Sequence, residues 1–127
     1  MSEPTLLARY GLATYVPEQE GNLFLFHVTE KDLELVIKTL KHDHALPLKT
    51  VAATDERKER GTFRIHYIFG VPKENIFIVP YISVDKNAET FPSLTPIDQE
   101  FSLYEQEIKT FFGLSPEGHP RAARIIL

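Results

Sequence analysis

The sequence predicts an α+β domain: a mixed, largely antiparallel sheet with helices packed on one face and an extended C-terminal tail. Three observations carry that expectation. Residues 30–43 and 95–112 repeat apolar side chains at spacings of three and four behind helix-start signals. Residues 23–28, 63–69 and 76–84 are either apolar throughout or alternate with period two, as strands do. After residue 48 there is no alternating β-α-β rhythm, so a parallel, doubly wound sheet is not expected.

Each element has its own warrant. Ser2, Pro4 and the apolar set Leu6, Leu7 and Tyr10 predict a short opening helix that Gly11 stops. Ala13 to Val16 and Leu23 to Val28 read as two strands around a turn at Glu18 to Asn22, the second apolar on both faces and therefore interior. Thr29 and Asp32 form a shortened capping box ahead of Leu33, Val36, Ile37 and Leu40, and Pro47 ends that helix. Leu48 to Ala53 is a weak strand. Phe63, Ile65, Tyr67 and Phe69 alternate with polar residues, and the charged segment 55–61 is a hairpin tip. Within 76–84 Pro80 implies an edge position or a bulge, because proline cannot donate to the ladder. Thr95 as N-cap, Pro96 at the first helical position and Asp98 at the third predict the last helix. Ile97, Phe101, Tyr104, Ile108, Phe111 and Phe112 would form its buried stripe, with Gly113 as the left-handed stop.

Composition bounds the chemistry. With no cysteine there is no disulfide, thiol nucleophile, zinc ribbon or Cys-ligated iron–sulfur cluster in this chain. A net charge of −4, from 14 basic and 18 acidic residues, argues against a nucleic-acid footprint. No apolar run approaches the roughly 20 residues that span a bilayer, and the N-terminus lacks a secretory pattern. One soluble domain over 1–127 is the expectation. The six glycines form neither a dinucleotide fingerprint nor a phosphate loop, and no Gly-x-Ser-x-Gly elbow is present.

Among candidate sites, His42 and His44 suggest a metal, but residues two apart on a helix point roughly 200° from one another and a third ligand is missing. Cationic side chains closing a helix C-terminus are the plainer reading. Glu105 and Glu107 diverge in the same way, so they do not form an acid/base pair. Glu100, Glu105 and Glu107 instead read as an exposed acidic ridge beside an aromatic stripe. The apolar tail Ile125-Ile126-Leu127 either docks on its own sheet or faces a partner.

Four pieces of sequence then fall in a recognisable order: Phe91-Pro92-Ser93-Leu94-Thr95-Pro96, Tyr104-Glu105-Gln106-Glu107-Ile108, Phe112-Gly113-Leu114 and Glu117-Gly118-His119-Pro120. Together they resemble the 30 kDa subunit family of respiratory complex I, the NADH:quinone oxidoreductase. The same domain occurs in membrane-bound nickel–iron hydrogenases and formate hydrogenlyases, as a separate subunit or as the N-terminal part of a large subunit. Gln106 stands where that family usually has Arg, Thr110 where it has Asp, and Arg121 and Ala123 where Asp and Arg are common. These departures imply a divergent branch. The resemblance implies an accessory, cofactor-free unit, without a catalytic site or resident metal, that packs against the large catalytic subunit of a redox complex. It would lie in the cytoplasm, peripheral to the inner face of the cell membrane through that complex. Its implied partner-interface residues are Tyr104, Glu105, Glu107, Phe112, Gly113, Gly118, His119 and Pro120. The chain is then either a short subunit or a piece of a longer fused protein. The alternatives are a small metalloenzyme using His42 and His44, and a homomeric interaction module.

Overall fold

The computed structural model describes residues 3–118. The elements in chain order are α1 (Glu3–Ala8), β1 (Glu18–Glu20), β2 (Leu23–His27), α2 (Glu30–Lys38) and β3 (Leu48–Glu56). They continue with α3 (Arg57–Arg60), β4 (Thr62–Val71), β5 (Ile76–Asp85), β6 (Thr90–Pro92), α4 (Phe101–Phe112) and β7 (Ser115–Glu117). Five strands form one sheet in the order β1-β2-β5-β4-β3, and β6 and β7 form a second, two-stranded one. The α+β class expected from the sequence is what the chain adopts, with β2–β5 and β6–β7 as parallel pairs. The residues cluster into two compact units. One comprises residues up to 52 with 65–83, and the other 53–64 with residues from 84 onward.

In the first unit the apolar pattern of α2 is realised as Leu33, Val36 and Ile37, all buried. Thr29 Oγ1 accepts the Asp32 amide at 3.3 Å, the cap its sequence forecasts. The helix does not run unbroken to residue 43. Residues Thr39–Asp43 widen into a π turn, in which the His44 amide donates to Thr39 O, while the Thr39 hydroxyl bonds back to Leu35 O. Phe24, Phe26, Ile65, Tyr67, Phe69, Ile78 and Ile82 complete a core in which each large apolar side chain contributes about 1.5–3 kcal/mol.

Two strand expectations in this unit are corrected. Residues 13–16 are not a strand. Tyr15 donates its amide to Leu12 O in a turn, and its ring packs 5.0 Å from Phe26. The hairpin partner of β2 is instead the fully exposed Glu18–Glu20, and Gly21 at φ +62° makes the bend. Pro80, expected at an edge or bulge, lies in the central strand and pairs with Phe26 in unbroken register. The geometry explains why. Phe77 N–H donates to Asn22 O and Tyr81 O accepts from Val28 N–H, so odd residues of β5 address β2. The missing N–H of Pro80 therefore points toward β4, and the cost is one ladder bond.

In the second unit the tip between β3 and β4 closes as the single turn α3, with Gly61 at φ +73°. Arg57 forks onto Asp55 at 2.7 and 2.9 Å, and its guanidinium stacks 4.8 Å from the Phe63 ring. That fork holds the Asp55 carboxyl below its usual range. Contrary to the sequence expectation, a small β-α-β element does occur late in the chain. Thr90, Phe91 and Pro92 of β6 pair in parallel with Ser115, Pro116 and Glu117 of β7, and α4 lies between them in sequence. The C-terminal tail expected to be extended begins with β7, and its remainder beyond residue 118 lies outside the described residues.

Candidate functional site: a clasped helix

Helix α4 does not start at Thr95. It starts at Phe101, with Glu100 at the N-cap and no side-chain cap bond, after two turns over residues 95–100. Asp98 Oδ1 accepts the Glu100 amide at 2.9 Å and so helps to close that approach. The Thr95 side chain is committed elsewhere. It is buried, and its hydroxyl donates to Glu105 Oε1 at 2.7 Å. The Ser93 hydroxyl donates to the same oxygen at 2.6 Å, and the Leu94 amide donates to Oε2, also at 2.6 Å. Ser93 Oγ in turn accepts the Thr95 amide at 3.2 Å.

Three short bonds thus converge on one carboxylate that is 1% exposed. Burying a carboxylate in apolar surroundings is costly unless its lone pairs are taken up, and short hydrogen bonds of this type are among the strongest available. The acidic ridge expected on α4 is accordingly corrected. Glu107 is exposed, but Glu105 points inward and is used up within the chain.

The same unit ties the clasp down at both ends. The Ser93 amide donates to Glu117 O and the Ser115 amide to Glu89 O, while the Thr90 hydroxyl donates to Glu117 Oε2 at 3.1 Å. Gly113 ends α4 in the left-handed region at φ +73°, its amide bonded to Lys109 O. Phe101 and Ile108 are buried and the Phe112 ring meets Phe63 edge-on at 5.9 Å. With the helix fixed in this way, Leu103 and Phe111 face solvent at 72% and 75% exposure. Glu107 lies between them at four-residue spacing, so the three form one exposed stripe. Phe111, expected in the buried stripe, is on this outer one.

Of the residues singled out in the sequence, Tyr104 and Phe112 are half-buried, while Glu107, Gly113 and Gly118 are exposed. Gly118 has φ +88°, and His119 and Pro120 lie outside the described residues. His42 and His44 are exposed, and the His44 ring meets Tyr10 edge-on at 5.1 Å. Among the described residues no group of three or more His, Cys, Asp or Glu side chains is placed to hold a metal ion. The sequence reading missed Ser93, Leu103 and the true role of Thr95. A hydroxyl pair two apart, followed ten residues later by Glu105, is the signal it passed over.

The clasp joins two of the four motif pieces, Phe91-Pro92-Ser93-Leu94-Thr95-Pro96 and Tyr104-Glu105-Gln106-Glu107-Ile108. Residues 26–127 match the family model described as respiratory-chain NADH dehydrogenase, 30 Kd subunit. The chain belongs to that family. Over 93 residues it is 29% identical to formate hydrogenlyase subunit 5 and 31% identical to hydrogenase-4 component G, both of Escherichia coli strain K12. Each match covers 72% of this chain but 16% and 17% of those proteins, so the chain spans about a sixth of the length of these relatives. Among solved structures, the trypsin-resistant fragment (1–134) of Nqo5 superposes with a TM-score of 0.74 at 17% identity, covering 91% of this chain and 96% of that one. A chain of the membrane-bound sulfane sulfur reductase, an archaeal respiratory membrane complex, gives 0.76 at 14% identity over 92% and 71%. At such identities these two matches bear on the fold alone. No helix among the described residues is long and apolar enough to cross a membrane.

Proposed function

We propose that this chain is a cofactor-free accessory subunit or domain of a multi-subunit redox complex, of the NADH:quinone oxidoreductase or energy-converting nickel–iron hydrogenase type. It packs against the large catalytic subunit and has no catalytic site of its own. Membership of the 30 Kd subunit family supports the class of complex, and the similarity to hydrogenase components favours the hydrogenase branch. Association with the membrane, at its inner face, then comes through the complex.

The observation that carries the contact is the stripe Leu103–Glu107–Phe111, held outward by a helix whose inner side is clasped at Glu105. Two large apolar side chains presented on a rigid helix with a carboxylate between them fit a protein surface with an apolar seat and a basic neighbour. Tyr104, Phe112 and Gly113 position that stripe, Glu107 meets the partner, and Gly118, His119 and Pro120 extend the contact along the chain. Glu105 serves the interface from within, by fixing the helix.

Co-purification tests this reading. Tagged chain from its own cells is expected to bring down a hydrogenase-like or quinone-reductase large subunit, or to be covalently part of one by intact mass. Leu103→Ser with Phe111→Ser should abolish that association while changing stability by less than about 0.5 kcal/mol, since both side chains are exposed. Retention of the full complex by the double variant would overturn it.

A further inference from the structure

The five-stranded sheet has two faces, and pairing register assigns residues to each. Leu23, Leu25 and His27 of β2 stand opposite Phe77, Val79 and Tyr81 of β5, and directly paired residues share a face. The opposite face of these strands, Phe24, Phe26, Ile78 and Ile82, is buried in the core of the first unit. The His66 ring lies 5.5 Å from Tyr81, which brings the even-numbered residues of β4, Ile68 and Gly70 among them, onto the same outer face. On that face, among the described residues, Val79 and Tyr81 are buried, Leu23, Leu25, Ile68 and Phe77 are half-buried and His27 is exposed, so apolar surface remains open around the two buried residues.

Charge is distributed across this face with opposite signs on its two sides. Glu18 and Glu20 pair with Leu25 and Leu23, so two exposed carboxylates border the β1 side. On the other side Lys49 crosses Gly70, where an added Cβ would meet Lys49 Cε at 2.7 Å. Lys49 and Lys73 flank a cleft of about 490 Å³ that Val71, Ile76 and Phe77 also line. The edge strand β1 is three residues long and entirely polar, which disfavours addition of another strand there. The open surface is the face and not the edge.

We infer that this face is a second docking surface, separate from the α4 stripe, and that it takes an amphipathic helix of a partner protein. Dimensions and charge both select that occupant. Neighbouring strands lie about 4.8 Å apart, so β2, β5 and β4 together present a strip about 10 Å wide, the diameter of one helix. The paired length of β2 is about 17 Å, or three helical turns. The helix seats its apolar stripe on Leu25, Ile68 and Phe77, which are half-buried. It carries Lys or Arg on the flank facing Glu18 and Glu20, and Asp or Glu on the flank facing Lys49. Opposite charges on two sides fix its direction as well as its position.

Photo-crosslinking in the native cell tests this with the full chain. Benzoylphenylalanine replaces Phe77 in one strain and Leu103 in another, and the crosslinked peptides are sequenced by mass spectrometry. From position 77 we expect a peptide of a different protein with apolar residues at helical spacing, basic residues along one flank and acidic residues along the other. Glu18→Lys with Glu20→Lys, both changes at exposed sites, should cut its yield about tenfold while leaving thermal unfolding unchanged. A crosslink to a second copy of this chain, a peptide without that charge pattern, an unchanged yield in the charge-reversed variant, or no product at all each overturns the inference. Products at 103 with none at 77 leave the α4 reading standing, and the reverse result separates the two in the other direction.

Discussion

Helix α2 begins where Thr29 accepts the Asp32 amide across three residues, whereas Thr95, ahead of α4, donates its hydroxyl to Glu105 ten residues downstream. The two threonines occupy similar positions in the sequence, each just before an apolar repeat. One satisfies an orphan amide of its own helix. The other leaves its helix without a side-chain cap and holds an upstream loop against the helix instead. α2 is therefore placed by local chemistry plus burial, and α4 by a buried carboxylate that ties it to the loop 93–95. A locally capped helix tolerates loss of the cap, because burial of Leu33, Val36 and Ile37 still holds it. α4 also buries Phe101 and Ile108, but loss of its clasp leaves three donors without their acceptor, where loss of the α2 cap leaves one.

The sharpest way to break the contrast is Glu105→Ala. It leaves the Ser93 hydroxyl, the Leu94 amide and the Thr95 hydroxyl without their acceptor, and should cost about 4 kcal/mol in urea-induced unfolding. A cost under about 1 kcal/mol would mean that the clasp does not hold the unit. Glu105→Gln should be milder, at about 1–2 kcal/mol, because its amide oxygen can accept from Leu94 while its NH2 donates to the two hydroxyl oxygens, which reorient. Thr95→Val keeps the shape and removes one bond, for about 1–2 kcal/mol by the same measurement. Thr29→Ala should have the smallest effect of the series, about 1 kcal/mol, and helical circular dichroism should persist. If Thr29→Ala proved as costly as Glu105→Ala, the distinction between a local cap and a long-range clasp would collapse.

How much of this was legible follows the same division. Thr29 and the repeat behind it announced α2, because every signal lies within one helical turn. Gly113 announced the end of α4 for the same reason, since its left-handed conformation suits glycine. The beginning of α4 misled because Thr95, Pro96 and Asp98 satisfy the local rule for a cap, and only the buried Glu105 shows where the hydroxyl goes. Pro80 misled because a proline is excluded from a central strand only when its neighbours demand the missing N–H, and which neighbour is affected depends on pairing that no single segment encodes. Phe111 belonged to the right periodic set, but a period of 3.6 does not say how wide the buried stripe is. The motif pieces at 92–95 and 104–107 could be seen as neighbours in order. Their contact through one carboxylate could not.

The pairing of β6 with β7 has a dynamic consequence. Residues 93 to 114 form a loop whose two ends are hydrogen-bonded together, through the Ser93 amide to Glu117 and the Ser115 amide to Glu89. A segment closed at its base cannot fray from either terminus in the way an open helix does. To expose the α4 backbone, the base or the clasp must release first, and release of either frees the whole segment at once. In hydrogen exchange the amides of Ser93, Leu94 and Ser115 should therefore open in step with those of α4, as a single cooperative unit with one lifetime.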